Sequence, residues 1–217
     1  MKFAIGIPTI NQAALLLPSI NKYLEQFPAT EIFIVDNGNQ QIGWFFSRPW
    51  NHFLVQLRVN QVAKGVAASW NQLSRLIFGA GYTHALILND DVLLTKRDTE
   101  INKVLSLHEN DDFIVSQSGF HCFILPKKTF DSIGGFDENF KGAYFEDNDY
   151  ERRLKMAKMS IARTSFINPQ VLEESASIKK DPSLNINFQH NSEYYCKKWG
   201  GYRGGETFTI PFNGNTW

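Results

Sequence analysis

Four short apolar runs, each cut off by Pro, Asn or Asp, constrain what this chain can fold into more than any other feature. Residues 3–7 (FAIGI) stop at Pro8, residues 31–35 (EIFIV) stop at the turn-forming DNGN of 36–39, residues 53–59 form a third run, and residues 84–88 (HALIL) end in Asn89-Asp90-Asp91. Runs that are apolar at consecutive positions suit strands buried on both faces, as in a parallel sheet. Between them Ala13, Leu16, Leu17, Ile20, Leu24 and Phe27 recur at helical spacing, with Asn11 placed to cap that helix and Pro18 marking either its start near Leu17 or a kink. Val66, Trp70, Leu73 and Ile77 share one face of a second helix, closed by Gly79 and Gly81. The order strand, helix, strand, strand, helix, strand argues an α/β fold with a parallel sheet. Ligands of such sheets sit beyond the carboxyl ends of the strands, so Asp36 and the cluster at 89–91 are expected on one rim.

The second half is less regular. Strands are expected at 113–116 and 122–125, a short helix at 127–133 ended by Gly134-Gly135, and a helix after 145–148 with Tyr150, Leu154 and Ala157 on one face and Asn148/Glu151 as a capping pair. The polar stretch 173–183 reads as a mobile loop, and by its position as a lid over a bound ligand. Residues 185–199 read as a last helix, and the Gly/aromatic tail 200–217 as an arm packed on the surface.

Composition narrows the function classes. With 217 residues the chain is expected to be one domain, 1–217. Its 22 basic and 22 acidic side chains cancel, which disfavours a dedicated binder of bare nucleic acid, and 43% hydrophobic residues exclude intrinsic disorder. Cys122 and Cys196 are too few for a disulfide scaffold and form no C-x-x-C pair, so a reduced, cytoplasmic setting is expected. The opening MKFAIGIPTINQ is broken by Gly6 and Pro8 and reads as a strand rather than a signal peptide, and no stretch of about 18 uncharged apolar residues offers a transmembrane span.

Two acidic clusters carry chemistry. Asn89-Asp90-Asp91 offers hard oxygen ligands of the kind that bridge a divalent cation to phosphates, although Asn and Asp also simply end strands. Glu146-Asp147-Asn148-Asp149 opens a helix, where acidic residues also complement the macrodipole. His190 is a single histidine that serves either as a structural residue or as a ligand.

Taken in order, PTIN (8–11), VDNG (35–38), NQVAKGVAASWN (60–71), LILNDDV (86–92), IGGFDENF (133–140) and EDNDYERR (146–153) resemble the family 2 type of GT-A glycosyltransferase over roughly residues 3–165. The GGFDE…ED-x-D-x-x-x-R block is the most specific part, and His190 with KWGG (198–201) resembles the C-terminal portion of related enzymes. The resemblance implies a GT-A (nucleotide-diphospho-sugar transferase) fold with a mostly parallel central sheet flanked by helices. Residues 1–92 would then be the nucleotide-binding half, and 93–217 the acceptor and catalytic half with a C-terminal arm. It implies that Asp36 holds the donor nucleobase, that Pro8, Thr9 and Asn11 line the nucleotide pocket, and that Asn60, Lys64 and Gly65, with Asn71 further along, lie against the nucleotide. Asp91 matches the last Asp of the DXD motif and would bind Mn²⁺ or Mg²⁺ on the diphosphate, with His190 a further ligand. Asn89 stands where the motif has its first Asp. Asn89, Asp90, Glu146 and Trp199 would contact substrate, and Asp147 would be the general base. Glu146 is expected to be held by Arg152, Arg153 or a backbone amide.

The implied activity is metal-dependent, inverting transfer of a sugar, in the manner of a hexosyltransferase, from a UDP- or dTDP-linked donor to an acceptor hydroxyl. Partial burial among Phe140, Tyr144 and Phe145 would raise the pKa of the base. Those aromatics serve either as acceptor wall or as core, and Trp44, Trp50 and Trp70 compete for the first role. A nucleotidyltransferase is disfavoured because the loop after the first strand, GIPTINQ, is neither Gly-rich nor basic. A non-catalytic nucleotide-sugar or glycan-binding module of the same fold remains the alternative. A carbohydrate or other hydroxyl-bearing acceptor is expected, with modified phage DNA bases a minority alternative, because Lys179, Lys180, Lys197, Lys198 and Arg203 form a basic cluster that also suits a solvated face.

Overall fold

The computed structural model describes residues 1–46, 54–173, 179–180 and 182–215. Trp50, Phe53, and residues 174–178 and 181 of the polar stretch lie outside these. A seven-stranded sheet organises the rest. Its first half contains β1 (Phe3–Thr9), β2 (Ile32–Asp36), β3 (Val55–Val59) and β4 (His84–Leu88), all parallel, with β1 between β2 and β4. The order continues from β4 into β7 (Gly119–Pro126), β6 (Phe113–Ser116) and β8 (Ile161–Thr164). β7 runs antiparallel to both β4 and β6, and β8 is parallel to β6. The sheet is thus mostly parallel, with β7 reversed in its middle.

Side chains alternate between two packed faces, as a sheet buried on both sides requires. Ile5, Ile7, Ile32, Ile34, Leu86 and Leu88 face one core, covered by α1 (Ala13–Gln26) and α4 (Asp98–Leu107). Ala4, Phe33, Val35, Ala85 and Ile87 face the other, covered by α3 (Val66–Gly79) and α6 (Glu146–Met156). Trp70, Leu73 and Ile77 are buried there with Tyr150 and Leu154, as their spacing predicts. A third cluster, Phe140, Tyr194, Tyr195 and Trp199, packs the last helix, α7 (Phe188–Trp199), against the loop before α6.

Several elements differ from expectation. α1 runs unbroken through Pro18, and its first turn is not capped by Asn11, which adopts φ +57°. Gln40 does that work across the fold: its Oε1 accepts from the Ala13 amide at 2.9 Å. α4, β8 and the two-residue ribbon of β5 (Val92–Leu93) with β9 (Gln170–Val171) were not foreseen. α6 starts at Glu146, so Asn148 lies inside its first turn and caps nothing. The last helix starts three residues late, after a 3₁₀ turn at Pro182–Asn185. Residues 200–215 do pack as an arm, with Phe208 N donating to Trp199 O at 3.0 Å.

The GGFDEN segment hangs on one buried amide. Asn71 donates from Nδ2 to Phe136 O and to Glu138 Oε1, both at 2.8 Å, and accepts from Phe136 N at 2.7 Å. Asn71 therefore clamps this loop rather than facing a nucleotide. Asn71→Ala strands both backbone groups of buried Phe136, and each such orphan costs about 1–3 kcal/mol. A loss of about 2–4 kcal/mol in urea unfolding is expected; a variant within about 0.5 kcal/mol of the parent would show that the loop does not depend on it.

Candidate active site

The carboxyl ends of β1, β2 and β3 are knitted together by short polar side chains. Asp36 is fully buried and its carboxylate accepts from Gly38 N at 3.1 Å, Gln40 N at 2.7 Å and Gln40 Nε2 at 3.2 Å. Gln40 Nε2 also donates to Thr9 Oγ1 at 3.1 Å. Asn37 accepts on Oδ1 from Asn60 Nδ2 and from the Lys64 amide, each at 3.0 Å. Asp36, Thr9 and Asn60 thus lie together as expected, but their polar atoms first hold the rim in shape. Gln40 and Asn37 complete the network. The DNGN turn gave a signal for Asn37, whereas nothing local marks Gln40. Pro8 is half-buried, and the Lys64 side chain is exposed. A hollow of about 640 Å³ opens beside this rim, lined by Asn11, Ala13, Ala14, Gln40 and Lys180. Lys180 Nζ donates to Asn11 O at 2.6 Å across it.

Asn89-Asp90-Asp91 follows β4 on the same rim. The Asn89 amide donates to His121 O at 3.0 Å, and the Ile10 amide donates to Asp90 Oδ2 at 3.2 Å. Burial pushes the Asp90 carboxyl up to about 7, and the neighbouring Asp91 charge adds to this while a Thr9 hydrogen bond opposes it. Asp91 is half-buried, and its carbonyl accepts from Leu172 N at 2.8 Å, tying the motif to the β5–β9 ribbon. Among the described residues no three His, Cys, Asp or Glu side chains stand close enough to hold a metal ion by themselves. Exposed His190, in the first turn of α7, is not brought into such a group. A half-buried carboxylate at a strand end supplies the hard oxygen that Mg²⁺ or Mn²⁺ requires, and Mg²⁺ commonly takes one or two carboxylates and completes its shell with phosphates and water. The donor set fits a cation shared with a diphosphate, not a protein-only cage.

The second acidic cluster reaches the rim through a close backbone approach. Gly65, at φ +86°, leaves no room for a Cβ, which would stand 2.9 Å from Gly142 O. The Val66 amide donates to that same oxygen at 2.7 Å. The loop after β3 is thereby bonded to the segment that leads into α6. Buried Asn191 fixes this segment from the other side: its Nδ2 donates to the carbonyls of Lys141, Ala143 and Tyr144 at 2.8–3.1 Å, and its Oδ1 accepts from Lys141 N at 2.9 Å. Between these holds Tyr144 and Phe145 adopt φ +81° and +73°, which costs non-glycine residues of order 1–3 kcal/mol each. That strain delivers Glu146 and Asp147 at the first turn of α6.

Glu146 is buried, and desolvation, reinforced by the Asp147 charge, pushes its carboxyl up to about 8. Neither expected arginine holds it. Arg153 pairs with Asp149 at 2.9 Å and donates to the Ile133 and Gly135 carbonyls, while Arg152 donates to Phe208 O at 2.7 Å. Backbone amides of its own segment face Glu146 instead. Asp147 is half-buried; desolvation raises its pKa, opposed by the Asn148 amide, which donates to Oδ1 at 2.7 Å, and by the charge of Arg203.

Other expectations are corrected. Trp199 is 1% exposed, with Nε1 donating to Asp149 Oδ1 at 2.9 Å, so it braces the fold and cannot face a substrate. Phe140 and Trp70 are core residues, while Tyr144 and Phe145 stay half-buried, edge-on or tilted against Phe188. Trp44 is exposed. Lys198 does not belong to a solvated basic face: it is buried between Asp137 at 2.6 Å and Asp149 at 2.7 Å.

The raised Glu146 carboxyl carries a pH signature. The native state holds this proton more tightly than the unfolded chain, so its contribution to stability is complete below about 4.5 and is lost as pH rises through about 8. Glu146→Gln has no such loss. Its melting temperature is expected to gain steadily on that of the parent between pH 5 and 8, and a pH-independent gap in parallel melts would refute the buried neutral carboxyl.

No family model matches the sequence, and no curated protein does. Solved structures do match. A mannosyltransferase from Pyrobaculum calidifontis in complex with GDP-Man and Mn²⁺ superposes with a TM-score of 0.63 at 16% identity, covering 89% of this chain and 69% of that one. TarS from S. aureus in complex with UDP gives 0.63 at 13% identity over 94% of this chain and 74% of that one, and its complex with UDP-GlcNAc gives 0.59 at 16% identity over 76% and 56%. The chain spans 44% of a longer TarS structure. With the sheet order and reversed β7 described above, these likenesses establish the GT-A fold of nucleotide-diphospho-sugar transferases.

Proposed function

We propose that the chain is a metal-dependent, inverting glycosyltransferase that moves a sugar from a nucleotide-sugar to an acceptor hydroxyl, with UDP- or dTDP-linked donors favoured. The observation that carries this reading is the placement of one half-buried carboxylate, Asp147, at the head of a helix whose lead-in is bonded to the carboxyl-end rim through Val66 and Gly142. The neighbours hold GDP-Man and UDP-GlcNAc, which supports a nucleotide-sugar donor. In this reading residues 1–92 form the nucleotide half and 93–217 the acceptor and catalytic half.

Pro8, Thr9, Asn11, Asp36, Asn60, Lys64 and Gly65 line the nucleotide, with Asn89 and Asp90 beneath the diphosphate. Asp36 meets the nucleobase only if a base displaces part of its Gln40 contact, since its oxygens are otherwise engaged. Asp91, with His190, would hold Mn²⁺ or Mg²⁺, and such a cation supplies charge neutralisation of the leaving diphosphate. Asp147 takes the proton of the acceptor hydroxyl while the oxygen bonds to the anomeric carbon and the bond to the diphosphate breaks. Its Oδ1 is committed to the Asn148 amide, which orients the group, and its raised pKa makes it a better base than an exposed aspartate. Glu146, protonated at neutral pH, adds no second negative charge and can donate to a substrate oxygen. With no second carboxylate acting as nucleophile, the reaction is one displacement and inverts configuration. Among the described residues no helix is long and apolar enough to cross a membrane.

Asp147→Asn should lower turnover by roughly 10²–10⁴-fold with donor affinity and melting temperature nearly unchanged. The parent's acid limb of rate against pH should lie above the ordinary carboxylate range. A destabilised variant with near-normal rate would reduce Asp147 to a helix-end residue, and retained anomeric configuration would remove the mechanism. Asp91→Ala should abolish Mn²⁺-dependent binding of nucleoside diphosphate in calorimetric titrations with UDP and dTDP. Equal affinity with and without Mn²⁺ in the parent would sink the metal assignment.

A further inference from the structure

A second, smaller cavity of about 140 Å³ lies along the face of α6 that begins next to Asp147. Asn148, Glu151, Arg152 and Lys155 line it at spacings of three and four residues, so it extends roughly 10 Å down the helix from the base. Arg203 and Glu206 of the C-terminal arm close the other wall.

Its charges are unbalanced. Glu151 is already engaged by Lys155 and Arg163 at 2.9 Å and by Arg203 at 3.5 Å. Glu206 accepts from Tyr195 Oη at 2.6 Å and from Gly204 N at 2.9 Å. Three cations of the wall, Arg152, Lys155 and Arg203, therefore meet two occupied carboxylates, in a chain whose net charge is zero. Arg152 adds unused donor capacity. Its guanidinium lies 5.6 Å from the Trp199 ring centroid with one arm on Phe208 O, while its buried Nε has no hydrogen-bond partner. Native folds seldom leave a buried charged donor unpaired without a ligand, water or ion to serve it.

We propose that this cavity is an anion subsite for the acceptor, taking a single carboxylate or phosphate group borne about one sugar unit from the hydroxyl that meets Asp147. The inference rests on the glycosyltransferase reading. Guanidinium groups suit such oxyanions because their planar donor fork matches carboxylate and phosphate oxygens. The volume admits one such group and not a polymer backbone. The acceptor side is indicated because Asn148, the residue after the base, forms the cavity's wall, whereas the donor diphosphate is placed at Asp91, at the end of β4.

The test uses the full chain with ¹⁵N-labelled arginine. Inorganic phosphate and acetate are titrated separately, with sodium chloride at matched ionic strength as control, while the Nε–H signals of Arg152 and Arg203 are followed. Expected are saturable shifts with phosphate, acetate or both, the arm that saturates lower naming the preferred oxyanion, and about a tenfold weakening in Arg203→Ala, the loss of one charge-assisted contact. Shifts that follow ionic strength alike in all three titrations overturn the proposal, as does an affinity untouched by Arg203→Ala. Competition between phosphate and UDP with Mn²⁺ for the same signals would give the cavity to the donor and also overturn it. Donor cleavage by the unmodified chain, measured as UDP release without acceptor, reads the parent function separately, so either reading can fail alone.

Discussion

The site depends on a largely buried charge cluster. Lys198 Nζ lies between Asp137 and Asp149, and Asp149 also receives Arg153 and the Trp199 indole. Two carboxylates and two cations leave the group neutral, and the hydrogen bonds from Trp199 to Asp149 and from Tyr194 to Asp137 satisfy oxygens that burial would otherwise penalise. Such a cluster offers little net stability compared with an apolar core of equal volume, but removing one member strands a buried charge. What it secures is geometry. Asp137 belongs to the GGFDEN loop, Asp149 and Arg153 to α6, and Lys198 and Trp199 to α7, so three segments distant in sequence are locked at one point.

That lock lets the chain carry strain where it is useful. Tyr144 and Phe145 both occupy positive φ, and bulky residues do so only when surroundings over-determine them. The surroundings here are Asn191, spending every hydrogen bond of its amide on residues 141–144, and Gly142, pressed against Gly65. The consequence is a helix whose first two residues are carboxylic acids partly or wholly withdrawn from water. Withdrawal gives the two neighbours different characters: Glu146, more deeply buried, keeps its proton near neutral pH, and Asp147, half-buried beside the Asn148 amide and the Arg203 charge, is the more readily ionised.

Much of this was legible in the sequence, and the limits have physical causes. β1, β2 and β4 could be read because strands buried on both faces are apolar at consecutive positions, and α3 because Trp70, Leu73 and Ile77 repeat at helical spacing. β8 escaped because Ile161 and Ala162 give too short an apolar signal, and α4 because its buried Ile101, Val104 and Leu105 sit among six polar or charged neighbours in DTEINKVLSL. The rim at Asp36 and Asn89–Asp91 followed from where strands stop, and Thr9 and Asn60 from the resemblance. Its actual fasteners did not: Gln40 caps a helix twenty-seven positions away, and Asn191 binds a loop fifty positions away. Lys198 and Trp199 misled for the same reason. A basic residue beside other basic residues reads as solvated, and only its distant carboxylate partners reverse that.

The division of labour along the rim follows from these fasteners. On the β1–β3 side the polar atoms are spent within the rim, Asp36 on Gly38 and Gln40 and Asn37 on Asn60 and the Lys64 amide, so this side presents a preshaped surface with exposed Lys64 and half-buried Pro8 at its edge. On the α6 side the opposite holds: Asp147 keeps acceptor capacity, Arg152 keeps a donor unspent, and Tyr144 and Phe145 keep part of their rings uncovered. Preorganised groups cost no rearrangement when a ligand binds, whereas unspent groups gain a partner only when it arrives. A rigid half that receives one substrate and an unsatisfied half that rewards the second is a chemically sound arrangement for a two-substrate transfer, because the groups nearest the bond being made are those with interactions still to gain.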